Sequence, residues 1–166
     1  MRTLKTTALS ILTVLLFTMN INAQNKAISG PVNTVITNYL ALKDALISGN
    51  GTVAEGKAKI LLASIGTVPK ADLTTDEAVL LPKLEFDSRH ISEVNKIDHQ
   101  REHFANLSNN LYTLLKKLKV NNNILYRQYC TMTKRYFLSE SDKGKDPYMG
   151  MAGCSKVTET LSIAKK

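Results

Sequence analysis

The most regular pattern in this chain of 166 residues is an apolar stripe that repeats every three or four positions. Its members are Phe104, Leu107, Leu111, Leu114, Leu115 and Leu118. This spacing places the side chains on one face of an α-helix, and such a face must be buried against other elements. Asp98 is suited to cap the start of this helix. The stripe therefore predicts a long amphipathic helix within a helical domain.

Two helices are predicted near the start of the domain. Apolar residues recur at helical spacing over residues 31–47, where Pro31 suits the first helical position and the Gly-Asn-Gly sequence at 49–51 suits the end. Residues 53–65 are rich in Ala and Leu and stop at Gly66. The short connection favours an antiparallel pair.

A further helix is predicted over residues 74–96. Thr74 and Glu77 have the spacing of a capping box, while Pro82 must kink the helix or mark its true start. With the apolar-stripe helix this makes four helices joined by short connections, which predicts an up-down bundle over about residues 31–119.

The sequence pattern changes after the three asparagines at 121–123. Residues 124–130 and 136–138 are short runs of β-prone residues, and residues 141–153 are rich in glycine and loop-forming residues. The predicted fold class is therefore mainly α: a four-helix up-down bundle followed by a small β-hairpin and loop segment at about 124–163.

Residues 1–23 have the pattern of a cleaved secretory signal peptide. Arg2 and Lys5 precede an apolar run at 8–17, and a small residue stands at the end. The run is shorter than the roughly 20 residues of a membrane-spanning helix, so no transmembrane segment is expected. There is no cysteine there for a lipid anchor. We expect a single mature domain at 24–166 that is periplasmic or secreted.

The chain is basic, with 22 Lys and Arg against 14 Asp and Glu and a formal net charge of +8. Loss of Arg2 and Lys5 with the leader would leave +6. A basic surface can attract nucleic acid, but export and an aromatic content of only 6% argue against that partner. We therefore interpret the charge as a solvated face and expect no nucleic-acid partner.

All sulfur side chains of the expected mature chain lie in one segment. They are Cys130, Met132, Met149, Met151 and Cys154. Core methionines would be spread through the helices, so this confinement suggests a separate role. Thiolate and thioether ligands are soft and select Cu(I), for which Ag(I) is a surrogate. The segment is a candidate copper(I) site.

The two cysteines have a second interpretation. In an oxidising compartment Cys130 and Cys154 can form a disulfide that contributes about 3 kcal/mol to stability in the chain-entropy model. Such a bond would consume both thiolates and leave only methionine and histidine as ligands. The sequence leaves the two interpretations open.

Among the three histidines, His103 is the best placed to join the sulfur ligands. It lies at the edge of the apolar stripe, whereas His99 lies further toward solvent. The sequence from His99 to His103 also matches the His-x-x-Glu-His pattern of inverted zinc proteases, but those enzymes are much larger. We assign no role to His90, and we find no phosphate loop, nucleophile elbow or other catalytic constellation.

Several motifs together resemble a known exported family that is catalogued as a domain of unknown function. They are Gln100-Arg101-Glu102-His103-Phe104, Leu107-Ser108, Tyr126-x-Gln128-Tyr129-Cys130-x-Met132, Leu138-Ser139, Pro147-Tyr148-x-Gly150 and Cys154. Members of this family occur as free-standing periplasmic proteins and as fusions to periplasmic adaptor subunits of copper/silver-type heavy-metal efflux pumps. The resemblance extends over nearly the whole mature chain.

The resemblance implies a helical domain with a small C-terminal metal site and a link to copper handling. The matching candidate ligands are His103, Cys130, Met132 and Cys154, with Met151 near a position where the family often has methionine. An efflux-pump component or another copper protein is the implied partner. We therefore expect a non-enzymatic protein that binds or handles Cu(I) or Ag(I). The alternative is a disulfide-stapled interaction domain that holds no metal.

Overall fold

The computed structural model describes residues 27–164, so the expected leader at 1–23 lies outside the described residues. The described chain is mainly helical and ends in a small antiparallel sheet. No helix in it is both long enough and apolar enough to cross a membrane. The elements are α1 (27–48), α2 (Gly51–Ile65), a 3-10 turn (Lys70–Asp72), α3 (Thr75–Ala78), α4 (Leu81–Ser92), α5 (Ile97–Leu118), β1 (Leu125–Cys130), β2 (Arg135–Ser139) and β3 (Ser155–Leu161).

Helix α1 reaches further upstream than Pro31. Residue 27 is already helical, and Ile28 joins Val32 on the buried face, so the apolar stripe of this helix includes one more turn. The predicted stop is confirmed. Gly49 has φ +72°, a conformation that favours glycine. Asn50 then caps α2, because its side-chain oxygen accepts from the Val53 N–H at 3.0 Å.

The helix predicted at 74–96 is in fact two helices. Thr74 and Glu77 form the predicted capping box at the start of the one-turn α3. Pro82 then lies in the first turn of α4, where its missing N–H costs no hydrogen bond. Helix α4 ends earlier than expected, at Ser92.

The break between α4 and α5 is held by one buried side chain. The Gln100 amide nitrogen donates to the carbonyl oxygens of Val94 at 2.6 Å and Gly51 at 2.9 Å. Helix α5 begins at Ile97, so Lys96 is the residue that precedes it. Asp98, predicted as the cap, lies within the first turn instead. A carboxylate there still favours the positive end of the helix dipole.

The predicted apolar stripe of α5 is buried along its length, and it forms the centre of the core. Helix α4 packs between α2 and α5, while α5 also contacts β2. Phe104 of α5 stacks on Tyr39 of α1 with ring centroids 5.0 Å apart. The mainly helical class with a small C-terminal β segment is confirmed, and the regular up-down order of the helices stays a prediction.

The C-terminal segment is a three-stranded sheet rather than a hairpin. The order is β2-β1-β3, and both pairings are antiparallel. Strands β1 and β2 correspond to the two predicted runs. Strand β3 has no apolar alternation and is largely exposed, so its sequence carries no strand pattern. Its pairing with β1 comes from the tertiary structure.

One buried hydroxyl joins α1, α5 and β2. The Tyr39 hydroxyl accepts from the Leu138 N–H at 3.0 Å and lies 2.8 Å from the Ser108 hydroxyl. Ser108 already donates its single proton to the Phe104 carbonyl at 2.7 Å, so Tyr39 is the donor to Ser108. Burial raises the pKa of Tyr39 well above its usual range, which keeps this proton in place.

Replacing Tyr39 by phenylalanine should lower the free energy of unfolding by about 1–3 kcal/mol, because the Leu138 N–H would lose its buried acceptor. Urea unfolding followed by circular dichroism measures the change. Tyr126→Phe is the matched control, since no side-chain hydrogen bond engages Tyr126 within residues 27–164. Equal losses in the two variants would contradict the structural role of the Tyr39 hydroxyl.

Candidate functional site

Cys130 and Cys154 are joined by a disulfide. Cys130 is the last residue of β1, and Cys154 immediately precedes β3, which pairs with β1. The Thr131 N–H donates to the Cys154 carbonyl at 3.3 Å, so the backbone itself holds the two segments together. The Cα atoms of the cysteines are 5.0 Å apart, within the usual span of a disulfide. The pairing left open by the sequence is present in the structure.

Asp146 lies beside this disulfide and is completely buried. Its carboxylate accepts from the backbone N–H groups of Tyr148 at 2.6 Å and Met149 at 3.2 Å, and from the Thr133 hydroxyl at 3.0 Å. The Cys154 sulfur is 3.3 Å from the same carboxylate. A disulfide sulfur carries no hydrogen, so this is a contact that becomes a hydrogen bond only when the thiol is free.

The two cysteines and Asp146 form a compact group of potential metal ligands. Their ligand atoms lie within 4.8 Å of one another, and within residues 27–164 no other group of three His, Cys, Asp or Glu side chains is as close. The sequence analysis did not identify Asp146 as a candidate ligand. The Asp-Pro-Tyr sequence could have indicated it, because aspartate before such a turn often accepts from backbone N–H groups two positions on.

The three methionines of this segment are surface residues. Met132, Met149 and Met151 are 61%, 47% and 42% exposed. The Asp146 N–H donates to the Met151 carbonyl, and the Gly150 N–H donates to the Asp146 carbonyl, each at 2.8 Å. The chain from 146 to 151 is thus a closed turn around the carboxylate. We call Cys130, Cys154, Asp146 and these methionines the sulfur site. The exposure is consistent with a role other than core packing.

His103 is not brought to the sulfur site. Its Nδ1 is 3.1 Å from a carboxylate oxygen of Asp87 on α4. Arg101, two positions earlier on α5, donates to the Pro147 carbonyl at 3.0 Å and so faces the C-terminal turn. Two positions on an α-helix correspond to about 200°, which turns His103 to the other side of the helix.

The structure also gives His90 neighbours that the sequence did not indicate. Its ring stacks on that of His103 with centroids 4.6 Å apart, and the His99 ring is 4.9 Å from His103. We call these three residues the His cluster. Asp87 is buried beneath it; burial raises the pKa of this carboxyl, and the hydrogen bond from His103 opposes that shift.

A family model described as a protein of unknown function (DUF3347) matches residues 35–123, which is more than half of the chain. The match covers most of α1 and all of α2 to α5, and it ends before β1. No curated protein and no solved structure matches the chain. The predicted resemblance to a family of unknown function is confirmed for residues 35–123. Its extension to the C-terminal cysteine motifs, export and the link to efflux pumps stay predictions.

Proposed function

The chain belongs to the DUF3347 family of unknown function, and we propose that it is an exported, non-enzymatic protein that binds Cu(I) or Ag(I) at the sulfur site. The observation that supports this proposal is the cysteine pair beside the buried Asp146. The ligand atoms of these three residues lie within 4.8 Å of one another. The proposed acceptor of the metal is a component of a heavy-metal efflux pump or another copper protein. The expected leader at 1–23 and the disulfide both suit the periplasm or the extracellular space.

Metal binding requires the reduced form of the site. Two molecules of a thiol reductant break the Cys130–Cys154 bond, become a disulfide themselves and leave two protein thiols. A bound cation then displaces the thiol protons, because the thiolate is the metal ligand. The disulfide is in this proposal the metal-free oxidised state, and reduction makes the site available.

Asp146 gives this site a preference for a cation. Its carboxylate is held by two backbone N–H groups, so it stays beside the two sulfur atoms. A third negative charge disfavours two neighbouring thiolates unless a positive ion compensates. The thiolates provide the soft ligands, and Asp146 provides charge and position.

The exposed methionines suit transfer to a partner. A thioether is a neutral soft ligand, so Met132 or Met151, the two methionines expected as ligands, can leave the ion as an acceptor ligand arrives. Their exposure places them where another protein can reach them. A closed cage of four thiolates would release the ion less readily.

Native mass spectrometry of the chain from Gln24 tests this proposal. The protein is reduced anaerobically and given one equivalent of Ag(I). We expect one bound ion that survives a competing thiol, because the two thiolates hold it together. Cys130→Ser should lose the ion, whereas His90→Ala should retain it, since His90 lies in the separate His cluster. Equal Ag(I) retention in both variants would contradict the proposal.

A disulfide-stapled interaction domain is the second candidate, and the disulfide is the observation that favours it. In the same experiment this candidate predicts a protein mass two hydrogens below that of the reduced chain, even under mild reductant, and no Ag(I) adduct. The functional surface would then be sought on the helices rather than at the sulfur site.

A further inference from the structure

The His cluster contains every histidine of the chain. His90 comes from the last turn of α4, and His99 and His103 come from the first two turns of α5. The His99 and His103 positions are four apart, so their side chains share a helix face. Packing of α4 against α5 then brings His90 onto the ring of His103, with 26° between the two ring planes.

In the rings of His90 and His103 the Nδ1 atom lies at hydrogen-bond distance from an acceptor. That of His90 is 3.0 Å from the Phe86 carbonyl, and that of His103 is 3.1 Å from Asp87. The Nδ1 of His99 lies 3.7 Å from the Glu102 carboxylate. Carbonyls and carboxylates only accept, so in His90 and His103 they favour the tautomer with the proton on Nδ1 and the lone pair on Nε2.

The opposite nitrogen of each ring is left without a protein partner. Across the described residues, no hydrogen bond engages Nε2 of His90, His99 or His103. Histidines that bind metal usually donate their other nitrogen to a carboxylate or a backbone carbonyl, which orients the ring. His90 and His103 already have such outer partners.

Burial and charge also suit a cation here. Asp87 is 3% exposed, and Asn110 bonds it as well, so this carboxylate is held in place under the rings. The side chains of His103 and His99 are 17% and 43% exposed, so solvent ions can reach them. The carboxylates of Asp87 and Glu102 offset the positive charge of a bound ion.

We propose that the His cluster binds one divalent transition-metal ion of the Zn²⁺, Cu²⁺ or Ni²⁺ class through the Nε2 atoms of His90, His99 and His103. Imidazole nitrogen suits these ions, whereas Cu(I) prefers the sulfur site. The rings do not yet form a group as compact as that of the sulfur site. Binding of the ion therefore requires small side-chain shifts that bring the three Nε2 atoms together while the Nδ1 atoms of His90 and His103 keep their acceptors, with solvent water completing the coordination.

Calorimetric titration of the oxidised protein with Zn²⁺ tests this second site. Free thiols are first blocked with iodoacetamide, so that the sulfur site cannot contribute. We expect one ion per chain, with affinity falling in acid because protons compete for the imidazole nitrogens. Each of His90→Ala, His99→Ala and His103→Ala should weaken binding about ten-fold or more.

Asn106→Ala is the matched control, because Asn106 is an exposed residue one turn beyond His103. It should bind Zn²⁺ as the unchanged chain does. His99→Ala removes an exposed ring and should not disturb folding. In the unchanged protein, addition of Zn²⁺ should shift the NMR resonances of all three Nε2 atoms, which gives a readout without any substitution. Absence of binding, or binding unaffected by all three histidine variants, would overturn the proposal.

The Zn²⁺ experiment is independent of the proposed function. A double variant with Cys130→Ser and Cys154→Ser should lose Ag(I) and keep Zn²⁺. Failure at one site therefore leaves the result at the other interpretable.

Discussion

Replacing Phe104 by alanine is expected to lower the free energy of unfolding by about 3–5 kcal/mol. Phe104 is fully buried and lies between the rings of Tyr39 and Tyr148, at centroid distances of 5.0 and 6.0 Å. The variant loses this contact area and leaves a cavity that two fixed aromatic rings cannot fill. Urea unfolding monitored by circular dichroism measures the effect.

The loss of packing at Phe104 should also affect the sulfur site, through Tyr148. Tyr148 lies in the turn that closes around Asp146, and its own N–H donates to that carboxylate. We therefore expect faster hydrogen exchange at the Tyr148 and Met149 amides in Phe104→Ala. This links the helical core to the geometry of the proposed metal ligands.

Phe86→Ala is the control for this prediction. Phe86 is the same residue type but is 56% exposed, and among the aromatic rings of residues 27–164 its ring contacts only those of His90 and His103. Its loss should cost less than about 1 kcal/mol. A comparable loss in the two variants would mean that Phe104 does not have the central packing role that the structure assigns to it.

Removal of the disulfide is expected to have the second-largest effect. Breaking the Cys130–Cys154 bond, whose residues are 24 positions apart, should lower the free energy of unfolding by about 3 kcal/mol. The open chain gains conformational entropy in the unfolded state. The partly exposed β3 also loses its covalent tie to β1.

Parallel urea titrations with and without a thiol reductant measure this difference. The double variant with Cys130→Ser and Cys154→Ser serves as the control, because reductant should leave its stability unchanged. An unfolding midpoint of the unchanged protein that does not respond to reductant, with thiol titration confirming two free thiols, would contradict the prediction. Addition of Ag(I) to the reduced protein should restore part of the loss if the metal binds the folded state.

The main helices of this protein could be predicted from local sequence patterns. The stripe from Phe104 to Leu118 has the helical period, the Gly49 and Asn50 pair supplies both a stop and a cap, and Thr74 with Glu77 starts α3. Each signal acts between residues at most a few positions apart, so no tertiary information is needed to interpret it. The concentration of sulfur side chains after residue 129 is likewise visible in the sequence.

Other features depend on contacts between distant segments. The pairing of β3 with β1, the burial of Asp146 and the Gln100 bond to Gly51 each join parts of the chain whose relative position no local pattern specifies. The same holds for the His cluster, since His90 meets His103 only because α4 packs against that face of α5. Helical periodicity determines which residues share a face, but the neighbour of that face is decided when the helices pack, because burial of apolar surface depends on the whole fold.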